Sequence, residues 1–148
     1  VNGIILIDTG ARLRVHPDIL KASREAARTG KPLPLDRSWA YAETTPQSVV
    51  DESMALTAGT DLWVTYGDWI CSDSFDFTTR LKDINAPALA ICGEEDGLTP
   101  LKYHQFFQER MPNCRLTAIK KAGHWVQAEQ PEDFTRAIRG FLDSLPAI

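Results

Sequence analysis

The sequence has no long apolar run, no paired-cysteine motif and no excess of positive charge. Its longest apolar stretches are about five or six residues, far short of the roughly 20 that a bilayer-spanning helix needs, and no charged-then-apolar leader is present. Three scattered cysteines do not make a disulfide framework or a C-x-x-C metal pair. A formal net charge of -4 provides no basic field for nucleic acid or an anionic membrane. We therefore expect a soluble, cytoplasmic protein with no nucleic-acid or membrane partner.

The sequence does contain enough apolar material for a compact domain. Of its 148 residues, 43% are hydrophobic. A chain of this length buries about 68–70% of its unfolded surface when it folds as one unit. The sequence shows no internal repeat and no low-complexity tract, so we expect one domain.

Three short apolar runs predict the strands of a parallel sheet. They lie at residues 3–8, 87–93 and 114–119. The first two are nearly continuous rather than alternating in hydrophobicity, which is typical of strands buried on both faces. Such a sheet requires helices on both sides, and the predicted class is therefore α/β.

Two amphipathic patterns predict helices that flank this sheet. Thr99 and Pro100 are expected to be the N-cap and the first position of a helix that reaches about residue 111. The residues that this helix is expected to bury are Tyr103, Phe106 and Phe107. Pro131 is expected in the first turn of the last helix. The apolar stripe of that helix consists of Phe134, Ala137, Ile138, Phe141, Leu142 and Leu145.

Roughly 80 residues separate the first two strands, far more than one crossover helix requires. We therefore predict a first core strand within 1–10, an inserted helical subdomain at 11–76 and the remaining core at 77–148. The helices of the insertion are expected near 17–29, 46–58 and 61–73. The Lys-Pro-Leu-Pro segment at 31–34 predicts a stiff linker.

The residues that directly follow the strands are the first candidates for chemistry, because ligands of open α/β sheets bind outside the carboxyl ends of the strands. Asp8 follows the first strand, Asp96 the second and His124 the third. A carboxylate holds an imidazole in one tautomer and stabilises its protonated form, which makes the histidine a competent general base. We predict that a carboxylate oxygen of Asp96 lies about 2.6–3.2 Å from Nδ1 of His124.

The neighbouring acids have simpler interpretations. Asp8 ends a strand in a turn, and turn chemistry is its plainer interpretation. Glu94 and Glu95 are expected to face solvent or to cap the turn. The alternative is that one of them, rather than Asp96, is the acid.

The other histidines are expected to be ordinary polar positions. His16 precedes a helix, and His104 lies in what the pattern predicts to be a surface helix. Neither has a second ligand at i+4, as a helical metal site would require. We therefore predict no metal and no organic cofactor.

Aromatic residues of the insertion are candidates for a substrate pocket. The predicted pocket residues are Trp39, Tyr66 and Trp69, together with Trp125 directly after the histidine. For most of the insertion's aromatic residues, a set that includes Tyr41 and Trp63, packing in the core is the favoured interpretation.

Taken together, these motifs resemble the C-terminal half of an α/β-hydrolase. The resemblance depends on GEEDGLTP at 93–100 after one apolar strand, AGHW at 122–125 after another, and a closing amphipathic helix that starts with proline. The branch it resembles comprises carboxylesterases, enol-lactonases and cofactor-free haloperoxidase-like proteins. The resemblance implies that Asp96 holds the acid position and His124 the histidine position. It also makes Asp8 an alternative acid, since some members of the family hold an acid at that strand end. It also makes 3–8 the sixth strand of the family sheet and the insertion its helical cap.

The nucleophile elbow of this family, G-x-S-x-G, occurs nowhere in the 148 residues. The resemblance places it before the sixth strand, with the first five strands and the oxyanion hole. We therefore expect the intact protein to hydrolyse an ester, a lactone or a similar acyl substrate by a serine-esterase mechanism, and this chain alone to be inactive. An aspartate nucleophile would instead imply a dehalogenase or an epoxide hydrolase. The alternative is a non-catalytic half-domain that acts as an assembly module.

The same resemblance predicts a partner. Without the family's fifth strand, the strand at 3–8 has a free edge, and positions 3–7 carry none of the lysines or prolines that protect natural edges. The adjoining sheet face would expose more apolar surface than the few hundred Å² that monomers tolerate. We predict a homodimer, or a complex with the N-terminal half, through this strand or the sheet face beside it.

Overall fold

The computed structural model describes residues 1–31 and 38–146. The strands are β1 (Ile4–Ile7), β2 (Ala88–Gly93) and β3 (Cys114–Ile119). The helices are α1 (Pro17–Thr29), α2 (Gln47–Thr57), α3 (Leu62–Ser74), α4 (Leu101–Arg110), α5 (Val126–Glu129) and α6 (Pro131–Asp143). Most of the predicted linker at 31–34 lies outside the described residues. Within the described ranges, no helix is long and apolar enough to cross a membrane.

The sheet is parallel, and β2 lies in its middle. The strand order is β1-β2-β3, with Ala88 of β2 aligned with Ile4 of β1 and with Cys114 of β3. All residues of β2 are buried, because strands flank it and helices cover both faces, which explains its continuously apolar sequence. The predicted α/β class, with three parallel strands and flanking helices, is confirmed.

The core consists of two layers, one on each face of the sheet. The layer below α4 contains Leu81, Ala88, Ala90, Phe107 and Met111. The layer below α5 and α6 contains Leu89, Ile91, Ile119, Val126 and Phe141. Successive residues of β2 alternate between the two layers because side chains of a strand alternate between its faces.

The buried stripe of α4 differs from the prediction. The residues of α4 that face the core are His104 and Phe107, at helical spacing, and Met111 is buried directly after the helix. The prediction of a surface position for His104 is therefore wrong. Tyr103 and Phe106 flank this stripe and are only partly buried. The last helix also differs from its predicted apolar stripe. In α6, Phe141 is buried as expected, but Leu142 is 50% exposed.

The described part of the segment between β1 and β2 is helical, and α1 packs against α3. Its two connections to the core lie side by side. Arg12 and Asp76 form an isolated antiparallel bridge, and the amide of Phe77 donates to the carbonyl of Ala11 at 2.9 Å. The helical segment therefore leaves and re-enters the core at one place.

Gly93 ends β2 at a close approach to the loop after β3. A Cβ at this position would lie 2.1 Å from the carbonyl oxygen of Ala122 and 2.3 Å from that of Gly123. Both are backbone atoms that cannot rotate away. We expect Gly93→Ala to lower the free energy of unfolding by about 3 kcal/mol or more, as measured by urea denaturation.

Gly140 is the matched control for this substitution. It lies in α6, and a Cβ there would meet nothing within 4 Å. Because glycine weakens the interior of a helix, we expect Gly140→Ala to stabilise the protein by up to about 1 kcal/mol. Near-wild-type stability of Gly93→Ala would contradict the close approach.

Candidate active site

The loops that follow β2 and β3 bring an acid and a histidine together at the carboxyl edge of the sheet. Asp96 Oδ2 lies 3.0 Å from Nδ1 of His124, inside the distance range predicted from the sequence. The Asp96 side chain is fully buried, and that of His124 is 21% exposed. The pair therefore combines a sheltered carboxylate with an imidazole that solvent or a ligand can reach.

The loop of Asp96 holds its carboxylate in place. Oδ1 accepts hydrogen bonds from the amides of Leu98 at 2.8 Å and Thr99 at 2.9 Å. Oδ2 accepts the hydroxyl of Thr99 at 2.8 Å. Burial raises the pKa of Asp96, but the hydrogen bonds from His124 and Thr99 outweigh it and leave the pKa below its ordinary value. Asp96 is therefore an ionised, rigidly aimed acceptor.

Thr99 is a member of this site rather than the predicted helix cap. The N-cap residue of α4 is Pro100, and the first helical residue is Leu101. The Thr99 hydroxyl donates to the Asp96 carboxylate, and its oxygen lies 3.4 Å from Nδ1 of His124. The prediction of Thr99 as the N-cap is wrong, because the helix begins one residue later than expected.

The carboxylate determines the tautomer of His124. An ionised aspartate only accepts hydrogen bonds, so the neutral imidazole carries its proton on Nδ1. Nε2 is then the basic nitrogen. The amide of His124 donates to the carbonyl of Ala40 at 2.6 Å, which anchors the loop backbone.

A cavity of about 310 Å³ lies beside His124, a size within the range of small-molecule sites. Of the aromatic residues predicted to line a pocket, Trp39, Trp69 and Trp125 are in its walls. Tyr66 is not among its lining residues and meets Trp63 edge-on, with ring centroids 6.1 Å apart.

The cavity also contains residues that sequence patterns did not indicate. These are Ile19, Ala40, Thr57, Thr60, Thr65, Asp68, Ser72 and Leu98. Most are small or polar residues in the helical segment, where such residues are ordinary on a solvated surface. They become lining residues because that segment packs over the two loops.

Asp8 reaches the same edge in a different environment. Its φ of 41° is typical of a turn residue, and its Oδ2 accepts the amide of Val126 at 3.2 Å. Its buried Oδ1 has no hydrogen-bond partner among the described residues. Burial raises the pKa of Asp8 to about 7, and the Asp96 charge also raises it, against lowering effects of the Val126 amide and His124. In the described structure, Asp8 makes no hydrogen bond to the imidazole of His124.

The remaining acids beside Asp96 are exposed, as predicted. Glu94 and Glu95 face solvent, and Oε2 of Glu95 accepts the amide of Glu43 at 3.3 Å. Neither forms a hydrogen bond with His124 in the described part of the chain.

The two other histidines have structural contacts. His16 is the N-cap of α1, where its Nδ1 accepts the amide of Asp18 at 3.3 Å. His104 is completely buried, and its Nε2 accepts the amide of Thr9 at 3.1 Å. Burial lowers the pKa of His104 to about 4, so this side chain is neutral at physiological pH.

Cys92 is the only cysteine of β2, directly before Gly93. Burial raises the pKa of its thiol to about 12, and the charges of Asp8, Asp96 and Glu94 add to the shift. Because the thiolate is the reactive form, Cys92 is a poor nucleophile near neutral pH. Across residues 1–31 and 38–146, no cluster of three or more His, Cys, Asp or Glu side chains is arranged to hold a metal.

Comparison with known proteins matches this chain to a hydrolase family, to hydrolase sequences and to esterase structures. A sequence model of the alpha/beta hydrolase family matches residues 1–137. Over 67 residues, the chain is 39% identical to the 2-hydroxy-6-oxononadienedioate/2-hydroxy-6-oxononatrienedioate hydrolase of Burkholderia vietnamiensis strain G4. That match covers 45% of this chain and 23% of the relative.

Solved structures match nearly the whole chain. A thermophilic esterase from Thermogutta terrifontis has a TM-score of 0.83 at 23% identity, covering 96% of this chain and 56% of its own. Another thermophilic esterase has a TM-score of 0.74 at 32% identity, covering 98% of this chain and 58% of its own. The chain thus spans little more than half the length of these esterases. With the family match over residues 1–137, the chain belongs to the alpha/beta hydrolase family.

Proposed function

We propose that Asp96 and His124 are the acid and the histidine of a serine hydrolase triad. The observation that carries this proposal is the 3.0 Å contact between Asp96 Oδ2 and His124 Nδ1. The cavity beside the imidazole supports it, because a base needs room for substrate within reach of Nε2. Membership of the alpha/beta hydrolase family supports the same roles.

In this mechanism Nε2 of His124 takes the proton of a serine hydroxyl as the serine oxygen attacks the carbonyl carbon of the substrate. The tetrahedral intermediate collapses, the leaving alcohol receives that proton, and an acyl-enzyme remains. His124 then activates water, which releases the acid and the free serine. Asp96 stays ionised throughout and stabilises the imidazolium, a role that its lowered pKa suits.

The proposal includes a cap and a substrate class. We assign the helical segment α1 to α3 as a cap over the site, since Trp39 and Trp69 from this segment form cavity walls together with Trp125. The cavity wall includes three tryptophans and exposes more apolar than polar surface, which suits a small ester, lactone or related acyl compound. The serine and the oxyanion hole would be supplied by polypeptide outside these 148 residues.

The 148-residue chain alone is expected to show no turnover of p-nitrophenyl acetate or butyrate beyond the slow background of a surface imidazole. His124→Ala should then change little. The protein expressed from the complete reading frame is expected to hydrolyse both esters and to be labelled by a fluorophosphonate probe at its serine. Saturable hydrolysis by the 148-residue chain that His124→Ala abolishes would show that the nucleophile lies within it.

The proposed partner surface is the free edge of β1. In the described sheet, β1 pairs with β2 alone, and Ile7 at its end is 39% exposed. Unpaired strand edges favour association with another chain. We assign this edge to a second copy of the chain or to the N-terminal half of the family fold.

Sedimentation of the 148-residue chain at micromolar concentration is expected to show a dimer. Ile7→Lys should shift the equilibrium toward monomer, because a lysine at a strand edge opposes pairing. Val64→Lys is the control, since Val64 is 54% exposed on α3, outside the sheet. A clean wild-type monomer would contradict self-association through β1.

A further inference from the structure

Glu129 is a buried acid that the proposed chemistry does not use. It is the last residue of α5 and only 8% exposed. Its Oε1 accepts the amides of Gly123 at 2.9 Å and Trp125 at 3.1 Å. These two amides flank His124 in the loop after β3. One oxygen of Glu129 therefore holds the backbone on both sides of the histidine.

The other oxygen of Glu129 holds a segment that is distant in sequence. Oε2 accepts the amide of Ala42 at 2.7 Å and the hydroxyl of Thr45 at 2.5 Å. Residues 40–45, named the strap here, lead into α2. A carboxylate that only capped its own helix would have no need of donors 84 and 87 residues away.

The four donors are what stabilises this carboxylate in the interior. An ionised carboxylate only accepts hydrogen bonds and offers about four lone-pair sites, which these donors match. No Lys, Arg or His of the described ranges forms an ion pair with Glu129. A buried carboxylate without a cation depends on its hydrogen bonds, so both segments are held by the same group.

The strap also touches the histidine loop directly. The carbonyl of Ala40 accepts the amide of His124 at 2.6 Å. The ring of Tyr41 stacks on Trp125 with centroids 6.4 Å apart. A Cβ at Gly123 would lie 2.6 Å from the carbonyl oxygen of Ala40, so the two backbones are in close contact. The strap and the histidine loop therefore share one interface, with Glu129 at its centre.

We propose that Glu129 is a positioning residue for His124. Glu129 couples the position of the strap to the orientation of the imidazole toward Asp96. The importance of this coupling for turnover rests on the proposed function of His124. The coupling itself is a property of the folded chain. It can therefore be measured without any activity.

The first test perturbs the strap and measures the response in the histidine loop. Thr45→Val removes one of the two strap donors to Glu129 and keeps the side-chain shape. We expect amide hydrogen exchange at Gly123 and Trp125 to become roughly fivefold to tenfold faster, and the downfield Nδ1–H resonance of His124 to shift or broaden. The measurement is NMR on the 15N-labelled chain. Thr44→Val, the same change at an exposed neighbour, should leave these signals unchanged.

The second test changes the carboxylate itself. Glu129→Gln keeps the volume but replaces one acceptor oxygen with an amide donor, which cannot face two N–H or O–H groups. We expect faster exchange at Ala42 and at Gly123 and the same change in the His124 resonance. Glu132→Gln, at an exposed position of α6, is the matched control.

An effect of Thr45→Val that stays within the strap, with unchanged Gly123, Trp125 and His124 signals, would overturn the proposal. That result would leave Glu129 as a local packing residue. If Glu129→Gln does not fold, Thr45→Val still decides, since it removes a single hydroxyl from a partly exposed residue. Failure of the proposed function would appear separately, as absence of esterase turnover in the complete protein with these NMR effects intact.

Discussion

Asp96→Asn is expected to lower the kcat of the complete hydrolase by roughly 10⁴-fold while preserving the loop. An asparagine oxygen can still accept the amides of Leu98 and Thr99, which Oδ1 accepts now. Its amide nitrogen would replace Oδ2 and present a donor to Nδ1 of His124. The imidazole would then carry its proton on Nε2, the nitrogen that has to accept the serine proton. Steady-state hydrolysis of p-nitrophenyl acetate measures the loss.

Two further variants test the choice of acid. Glu95→Gln changes an exposed carboxylate of the same loop and should leave kcat close to that of the wild type. Asp8→Asn tests whether Asp8, the alternative acid after β1, holds the acid role instead of Asp96. A large loss from Asp8→Asn combined with a small loss from Asp96→Asn would assign the acid role to Asp8 and refute the proposed pair.

Asp8 is expected to lower the stability of the folded chain as the pH rises from about 4 to about 7. Burial raises the pKa of Asp8 from 3.8 to about 7 in the folded state. Between these values the unfolded chain has released this proton and the folded chain still holds it, so the folded state binds more protons. The contribution of Asp8 is therefore fully present below the unfolded pKa and is lost as the pH passes the folded pKa. The expected loss from Asp8 is up to about 4 kcal/mol. His104 acts in the opposite direction up to about pH 6.5, because burial lowers its pKa from 6.5 to about 4.

Asp8→Asn should remove the contribution of Asp8 and leave the rise in stability with pH that His104 causes. The asparagine can still accept the amide of Val126, and it adds no charge next to the unpartnered Oδ1 position. Urea unfolding at pH 5 and pH 8 gives the comparison, with the variant more stable than the wild type at pH 8. The lowered pKa of Asp96 acts at lower pH and does not enter this window. Asp143→Asn, at an exposed position, should keep the wild-type difference; an Asp8→Asn protein that also keeps it would contradict the assignment.

The position of the candidate pair at the strand ends was predictable from sequence. Apolar runs at 87–93 and 114–119 predicted two neighbouring parallel strands, and parallel strands end at the same edge of their sheet. Asp96 and His124 follow those strands directly, so their meeting required only the correct strand order. The helices were predictable for a similar reason, because helical spacing of apolar residues depends on the local sequence alone.

Only the tertiary structure determined which distant groups form hydrogen bonds or packing contacts with these local elements. His104 has a polar side chain that a sequence pattern assigns to a surface, but its amide partner at Thr9 allows it to be buried. Thr99 donates to a carboxylate instead of capping a helix. Trp69 lines the cavity and Tyr66 does not, although both belong to α3.

Glu129 shows most clearly the difference between what the local sequence predicts and what the tertiary structure determines. Its sequence position in a short helix predicts only an acid near His124. Its burial depends on Ala42 and Thr45, which come from the strap and reach it only in the folded chain. Periodicity in a sequence determines which face of an element is buried, because that depends on residues a few positions apart. The partner of a buried polar group lies in another segment, and only the packing of the two segments determines it.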